Sequence, residues 1–316
     1  MRQVTLGKLD HLMTLGDALL NHSNPSVSPH DASGLILTFL REANYTPLAT
    51  PLNSLDTWYR ARFQAPDEVF KDHLSELLYR IRPPTDPGRV HQPGERIFYA
   101  GWNASTAFSE IDVQKNGNVW LSHVRPKASA QVLAVMIGSY EHYFRAGRLH
   151  YPSKAVSDHM AKFFSQSTSE EALHATLYAD TVLAKLLRTP DNSKYHLTSA
   201  IARLLHSGDQ LTTFLYPSVQ AASAINIAVK DDTFDAAFEV LAVHRFEVQR
   251  NLGWGNLVTS SKQICHDFSI AGHINWFSQR RHITEFSMET GLRYSSEASA
   301  WSVPPTWKEL KAAAAA

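Results

Sequence analysis

The stretch Pro87–Ile111, PGRVHQPGERIFYAGWNASTAFSEI, decides the fold class, because loop, strand and helix follow one another within it. It closes the longer run RPPTDPGRVHQPGE (82–95), whose four prolines and two glycines exclude regular structure. RIFYAG (96–101) is a short apolar run that reads as a strand. Asn103 or Ser105 can then cap a short helix whose apolar stripe is Ala107, Phe108 and Ile111. At about 100° per residue, Glu110 falls on the flank of that stripe.

The pattern continues on both sides. LDTWYRARF (55–63) alternates, placing Tyr59, Ala61 and Phe63 on one strand face and Trp58, Arg60 and Arg62 on the other. DEVFKDHLSELLYRIR (67–82) predicts an amphipathic helix with an acidic start. NVWLSHV (118–124) and SAQVLAVMIG (129–138) predict strands, and 153–207 is helical. TFLYPS (213–218), SAINIAV (223–229) and FEVLAVHRFEV (238–248) return to strands, with mixed strand patterns up to Trp307. Before all of this, Leu6, Leu9, Leu12, Met13, Leu19 and Leu20 have helical spacing, and Asp31 or Ser33 can cap a second helix to about Glu42. Strands at both ends of a helical middle make this an α+β chain. The expected organisation is a helical N-terminal extension (1–54), a core (55–250), a strand-rich C-terminal extension packed on it (251–311), and an Ala312–Ala316 tail set aside as a tag or a disordered end.

Composition narrows the function. Of 316 residues, 44% are hydrophobic, enough for a sizeable core. Thirty basic residues balance thirty acidic ones, so no broad basic field exists to gather a nucleic acid. The single cysteine, Cys265, excludes a disulfide framework and a Cys-rich zinc site. Asp10 and Asp17 interrupt any leader core and no apolar run reaches membrane-spanning length, so the expectation is a cytoplasmic chain with no membrane partner. GxxxxGK[ST], HExxH and GxSxG are all absent. LGWGNLV (252–258) has Val258 where a dinucleotide turn needs its third glycine. Cys265 and His266 would point to opposite faces of a strand, and the sixteen histidines have no helical ligand spacing beside a carboxylate, so no metal is expected.

Three segments stand out, each with an ordinary alternative. Arg60 and Arg62 beside aromatics could grip an anion, or they form a solvated strand face. Glu110 could look into a cleft, or it lies on a helix surface. In TFLYPSVQAASAINIAV, Ser218 at a strand end and Asn226 inside an apolar strand could serve a ligand, or close a turn and satisfy backbone.

Taken together, the three segments resemble the RES domain family, named for its Arg, Glu and Ser. The resemblance rests on Tyr59-Arg60-Ala61-Arg62, Gly88-Arg89, Tyr99-Ala100, Thr106-Ala107, Glu110, Tyr216-Pro217-Ser218-Val219 and Asn226-Ile227-Ala228, in that order, over about residues 55–250. There are departures. Val90-His91 stands where an aromatic or Met followed by Asn is usual, Ala61 stands where an aromatic can follow the first Arg, and 140–207 adds helices that compact members lack.

The resemblance implies an ADP-ribosyltransferase-like mixed β core with helical insertions. It implies a bacterial toxin that degrades NAD+ at the nicotinamide–ribose bond, as glycohydrolase or phosphorylase, with NAD+ as substrate and no further cofactor. It also implies a cognate antitoxin protein as partner. In that frame Glu110 stabilises the oxocarbenium-like ribose, as carboxylates do in glycoside hydrolysis. Arg60, with Arg89, holds the pyrophosphate through forked guanidinium donors. Tyr99 walls the nicotinamide ring, Ser218 hydrogen-bonds the ribose or nicotinamide end, and Asn226 braces or touches the ligand. The same pocket would serve a mono-ADP-ribosyltransferase acting on a host protein, although Phe108 stands where some transferases carry a second acidic residue. A non-catalytic NAD-binding or interaction module is the reading from another class. Whether residues 1–54 dock on the core, bind a partner or form a homo-oligomer stays open at this point.

Overall fold

A computed structural model describes residues 6–302 apart from 23, 25–26, 80–82, 112, 114–116, 167–168, 191, 206–211, 222–223, 254–255, 279–292 and 296–299. The Ala312–Ala316 run lies outside the described residues. The elements in chain order are helices α1 (Leu6–Asn21) and α2 (Pro29–Glu42), strands β1 (Leu48–Pro51) and β2 (Trp58–Gln64), α3 (Ser75–Leu78), β3 (Ile97–Gly101) and α4 (Ala104–Ser109). There follow β4 (Asn118–Pro126), β5 (Leu133–Met136), α5 (Ser139–Ala146), α6 (Lys154–Gln166), α7 (Glu170–Leu187) and α8 (Tyr195–Leu205). The chain ends with β6 (Thr213–Pro217), β7 (Ile225–Lys230), α9 (Asp231–Ala237), β8 (Phe238–Gly253), β9 (Asn256–Cys265), β10 (Phe277–Ser278), β11 (Arg293–Ser295) and β12 (Ala300–Ser302). The class is mixed α+β, with helices on sheet.

The chain forms two compact units, each built from separated segments. The first comprises residues 1–56, 79–100 and 125–239. Its strands run in the order β1-β5-β6-β7-β3. The β5–β6 pair is parallel, whereas β1–β5 and β6–β7 are antiparallel. Every residue of β6 is buried, as expected of an interior strand. The N-terminal helices are part of this unit: α1 packs on α7 and α2 on α8. Leu12, Leu19, Ile36 and Phe39 are buried there, and the Tyr178 hydroxyl donates to the Met13 carbonyl at 3.1 Å.

The second unit comprises residues 57–78, 101–124 and 240–316, with strand order β2-β4-β8-β9-β10. The β2–β4 pairing is antiparallel and unbroken from Trp58↔Val124 to Gln64↔Asn118. Period-two alternation gives each face its own core. Ala61, Val119, Leu121, Phe246 and Val248 pack with Ala107, Phe108 and Ile111 of the α4 segment. Trp120, Val243 and Cys265 pack with Phe70, Leu77 and Ile274. The α4 helix starts where the sequence places it: the Asn103 side chain accepts from the Thr106 amide at 2.7 Å and from the Thr106 hydroxyl at 2.9 Å. Asn103→Ala is expected to lower stability by about 1 kcal/mol, read as a shift of the urea midpoint at unchanged m-value.

Several expectations are corrected. The cap of α2 is Ser28, whose hydroxyl accepts from the Asp31 amide, with Pro29 in the first turn, so the helix starts before Asp31 and Ser33. Among the described residues, the helix expected over 67–82 is reduced to Ser75–Leu78. Polar partners capture the segment before it: the Glu68 carboxylate accepts from the Ala65 amide, and Asp72 accepts from Trp276 Nε1 at 2.7 Å. These contacts override the helical period of the segment. The strand expected over 129–138 is confined to Leu133–Met136, because Gly138 turns the chain with φ +78° into α5, the first of the helices expected over 140–207. The short edge strand β1 and helix α9 were not anticipated.

Candidate active site

Two of the six candidate residues lie in the second unit. Arg60, half-buried on β2, donates through Nε to the Leu77 carbonyl at 2.8 Å. Arg62 donates to the neighbouring Glu76 carbonyl and lies over the Phe70 ring at 4.6 Å. The two guanidinium groups thus take carbonyls at the end of α3, where cations are favoured. The structure thereby replaces a solvated strand face with two side chains of fixed orientation. Glu110 follows directly on α4 as its C-terminal cap residue, exposed, with its amide donating to the Thr106 carbonyl at 3.3 Å. The packing of Phe108 and Ile111 on the core sets the position from which its carboxylate projects.

The other four lie in the first unit. Asn226 on β7 pairs in register with Tyr216 on β6 and is 4% exposed. Ser218 comes one residue after β6 and is 1% exposed. Its amide donates to the Ala224 carbonyl at 2.9 Å, and its hydroxyl accepts from the amides of Gln220 and Ala221 at 3.2 and 3.1 Å. Ser218 therefore closes a compact turn at the end of the β6–β7 pair. Tyr99 stands on β3, next to β7 in the strand order. Arg89 donates to the Leu187 carbonyl at 3.1 Å and lies 5.8 Å from the Tyr195 ring, joining its loop to the end of α7 and the start of α8.

The first unit adds a residue the sequence reading did not assign. His91 Nδ1 lies 2.7 Å from the Tyr99 hydroxyl, so the loop that carries Arg89 also fixes the candidate ring wall. Gly88 allows this: a Cβ there would sit 1.8 Å from the His91 ring, so a side chain would expel the histidine. The amide of Gly88 donates to the His91 carbonyl at 3.0 Å and closes the loop. Val90-His91 was the visible departure from the family pattern, and that departure was the signal available.

Histidines cluster in the second unit. His123 and His244 stack with centroids 4.7 Å apart; Tyr59 lies edge-on to His123 at 4.8 Å, and His266 lies 6.2 Å from His244. Burial, then His244, then His266 lower the pKa of His123 to about 4. Burial, then His266, lower that of His244 to about 4. Both rings are therefore neutral at pH 7. Among the described residues, no group of three or more His, Cys, Asp or Glu side chains is placed to hold a metal ion. Cys265 is fully buried, with Sγ 2.9 Å from the Asp267 carbonyl, as a core residue. No described helix is long and apolar enough to cross a membrane.

Comparison with known proteins gives one match. The RES domain model matches residues 57–251. No curated protein and no solved structure matches the chain. The match begins one residue before Trp58, runs past the Ser218 turn and Asn226, and takes in all six candidate positions. Covering more than half of the chain, it shows that this protein belongs to the RES domain family.

Proposed function

We propose that this protein is an NAD+-consuming enzyme of the toxin type that cleaves the nicotinamide–ribose bond, with water or phosphate as acceptor. The observation that carries the reading is the family match over residues 57–251, a range that contains Arg60, Glu110 and Ser218. The physical chemistry of the individual residues supports it. Bond cleavage builds positive charge on the ribose, and an anionic oxygen near that centre lowers the barrier. Glu110 is an exposed carboxylate that follows α4, whose Phe108 packs with Ile111 on the core. A pyrophosphate calls for forked cationic donors, and Arg60 and Arg89 are each oriented by a backbone carbonyl. The Tyr99 ring is anchored at its hydroxyl by His91. A cognate antitoxin protein is the expected partner of such a toxin.

The test is to incubate the purified chain with NAD+ and follow free nicotinamide, with and without phosphate. Release is expected in at least one buffer, and phosphate dependence identifies the acceptor. No release in either buffer overturns the proposal. ADP-ribose attached to a protein acceptor would instead mark a transferase.

A further inference from the structure

Asp180 on α7 is a fully buried carboxylate to which the proposed chemistry gives no role. Oδ1 accepts from the Tyr45 hydroxyl at 2.7 Å and from the Gly138 amide at 2.9 Å. Oδ2 accepts from the Glu141 amide at 3.0 Å. Burial pushes its carboxyl upward in pKa, and these donors act in the opposite direction. Gly138 precedes α5 and offers no side-chain cap, so Asp180 caps that helix from another element. A buried side chain with these partners cannot move without leaving amides unsatisfied, at a cost comparable to a lost hydrogen bond for each.

The turn that Asp180 holds lies against the Ser218 segment. β5 and β6 run parallel with Met136 opposite Leu215, and the Ile137 amide donates to the Leu215 carbonyl at 2.9 Å. Gly138 adopts φ +78°, and a Cβ there would lie 3.1 Å from the Ala184 methyl of α7 and 3.5 Å from the Pro217 ring. The Ile137–Gly138 turn therefore sits between α7 and Pro217. Pro217 has a fixed φ and leads directly into the Ser218 turn.

We propose that Asp180 is a positioning residue for Ser218. It holds the β5–α5 turn on which Pro217 rests, and Tyr45, from the N-terminal segment, completes its set of donors. This gives residues before the family match a part in the site, and it rests on the reading of Ser218 as a group that binds NAD+.

The test is a double-variant cycle on the full chain, read by nicotinamide release from NAD+ together with amide hydrogen exchange. Asp180→Asn keeps the side-chain shape but turns an NH2 toward one of the donors. It is expected to lower kcat roughly tenfold, with thermal unfolding showing a folded protein at the assay temperature. Added to Ser218→Ala, it is expected to lower kcat no further. Tyr45→Phe is expected to act in the same direction with a smaller effect. Exchange of the Ser218 amide, which donates to Ala224, is expected to speed up in Asp180→Asn. Independent, multiplicative losses in the cycle, or unchanged exchange at Ser218, overturn the proposal. If Asp180→Asn does not fold, Gly138→Ala takes its place, since its added methyl meets Ala184 and Pro217 directly. A wild-type chain that releases no nicotinamide, yet loosens at Ser218 on Asp180→Asn, sinks the NAD+ reading and leaves the positioning role standing.

Discussion

Glu110→Ala is expected to reduce nicotinamide release from NAD+ by about a hundredfold or more, while stability stays within about 0.5 kcal/mol of wild type. The two halves of this expectation have separate causes. Stability is spared because the side chain is exposed and alanine keeps the backbone amide that donates to the Thr106 carbonyl. Phe108 and Ile111 stay packed on the core, so α4 keeps its place. Under the proposed chemistry activity is lost because a negative charge beside a developing oxocarbenium centre stabilises the transition state, and alanine supplies none. Glu110→Gln separates charge from hydrogen bonding: the amide still accepts from ribose hydroxyls but carries no charge. It is expected to fall nearly as far as the alanine variant. Full activity in Glu110→Ala would remove this residue from the site, and full activity in Glu110→Gln alone would show that charge is not what it supplies.

Much of the fold was legible because period-two alternation and strong stops are local signals. β2, β3, β4, β6 and β7 fall where apolar runs end at Gly, Pro or polar residues, and Asn103 caps α4 by a contact three residues long. What was not legible depends on residues distant in sequence. The segment 67–74 has a helical period, yet it is held by Trp276 through Asp72 and by a bridge between His73 and His273. No window of sequence contains both partners. The same holds for the site. Arg60, Glu110 and Ser218 stand out as polar residues in apolar surroundings, and their order carries the family signal. Their orientations come from the carbonyl of Leu77, the cap of α4 and the Gln220–Ala221 amides. Asp180 was invisible because a helical aspartate reads as solvated, and only the fold brings Tyr45 and the α5 start to it.

Acid is expected to destabilise this protein between about pH 6.5 and pH 4, and the stacked pair His123–His244 is the main cause. The folded state lowers both imidazoles from 6.5 to about 4, by burial first and by the neighbouring histidines second. A base with a depressed folded pKa is neutral in the native state over a range where the unfolded chain is already protonated. Its contribution to stability is complete above the unfolded pKa and is lost as pH falls toward the folded one. A shift of this size corresponds to about 3 kcal/mol for one ring, and coupling between the rings together with partial exposure makes the pair worth less than twice that. Among the described residues, the rings packed on the pair are those of Tyr59, Phe246 and His266, and none of these carries a negative charge to compensate a new positive one. His142 and His196 are also depressed by burial and add to the slope with the same sign. The informative comparison is therefore between wild type and His123→Gln, by urea midpoint at steps from pH 7.5 to 5, above the range where carboxylates titrate. The wild-type midpoint is expected to fall steeply below pH 6.5, and the variant is expected to show a clearly flatter slope. Parallel slopes would show that the stacked pair does not set acid stability and that its rings take up protons in the folded state without strain.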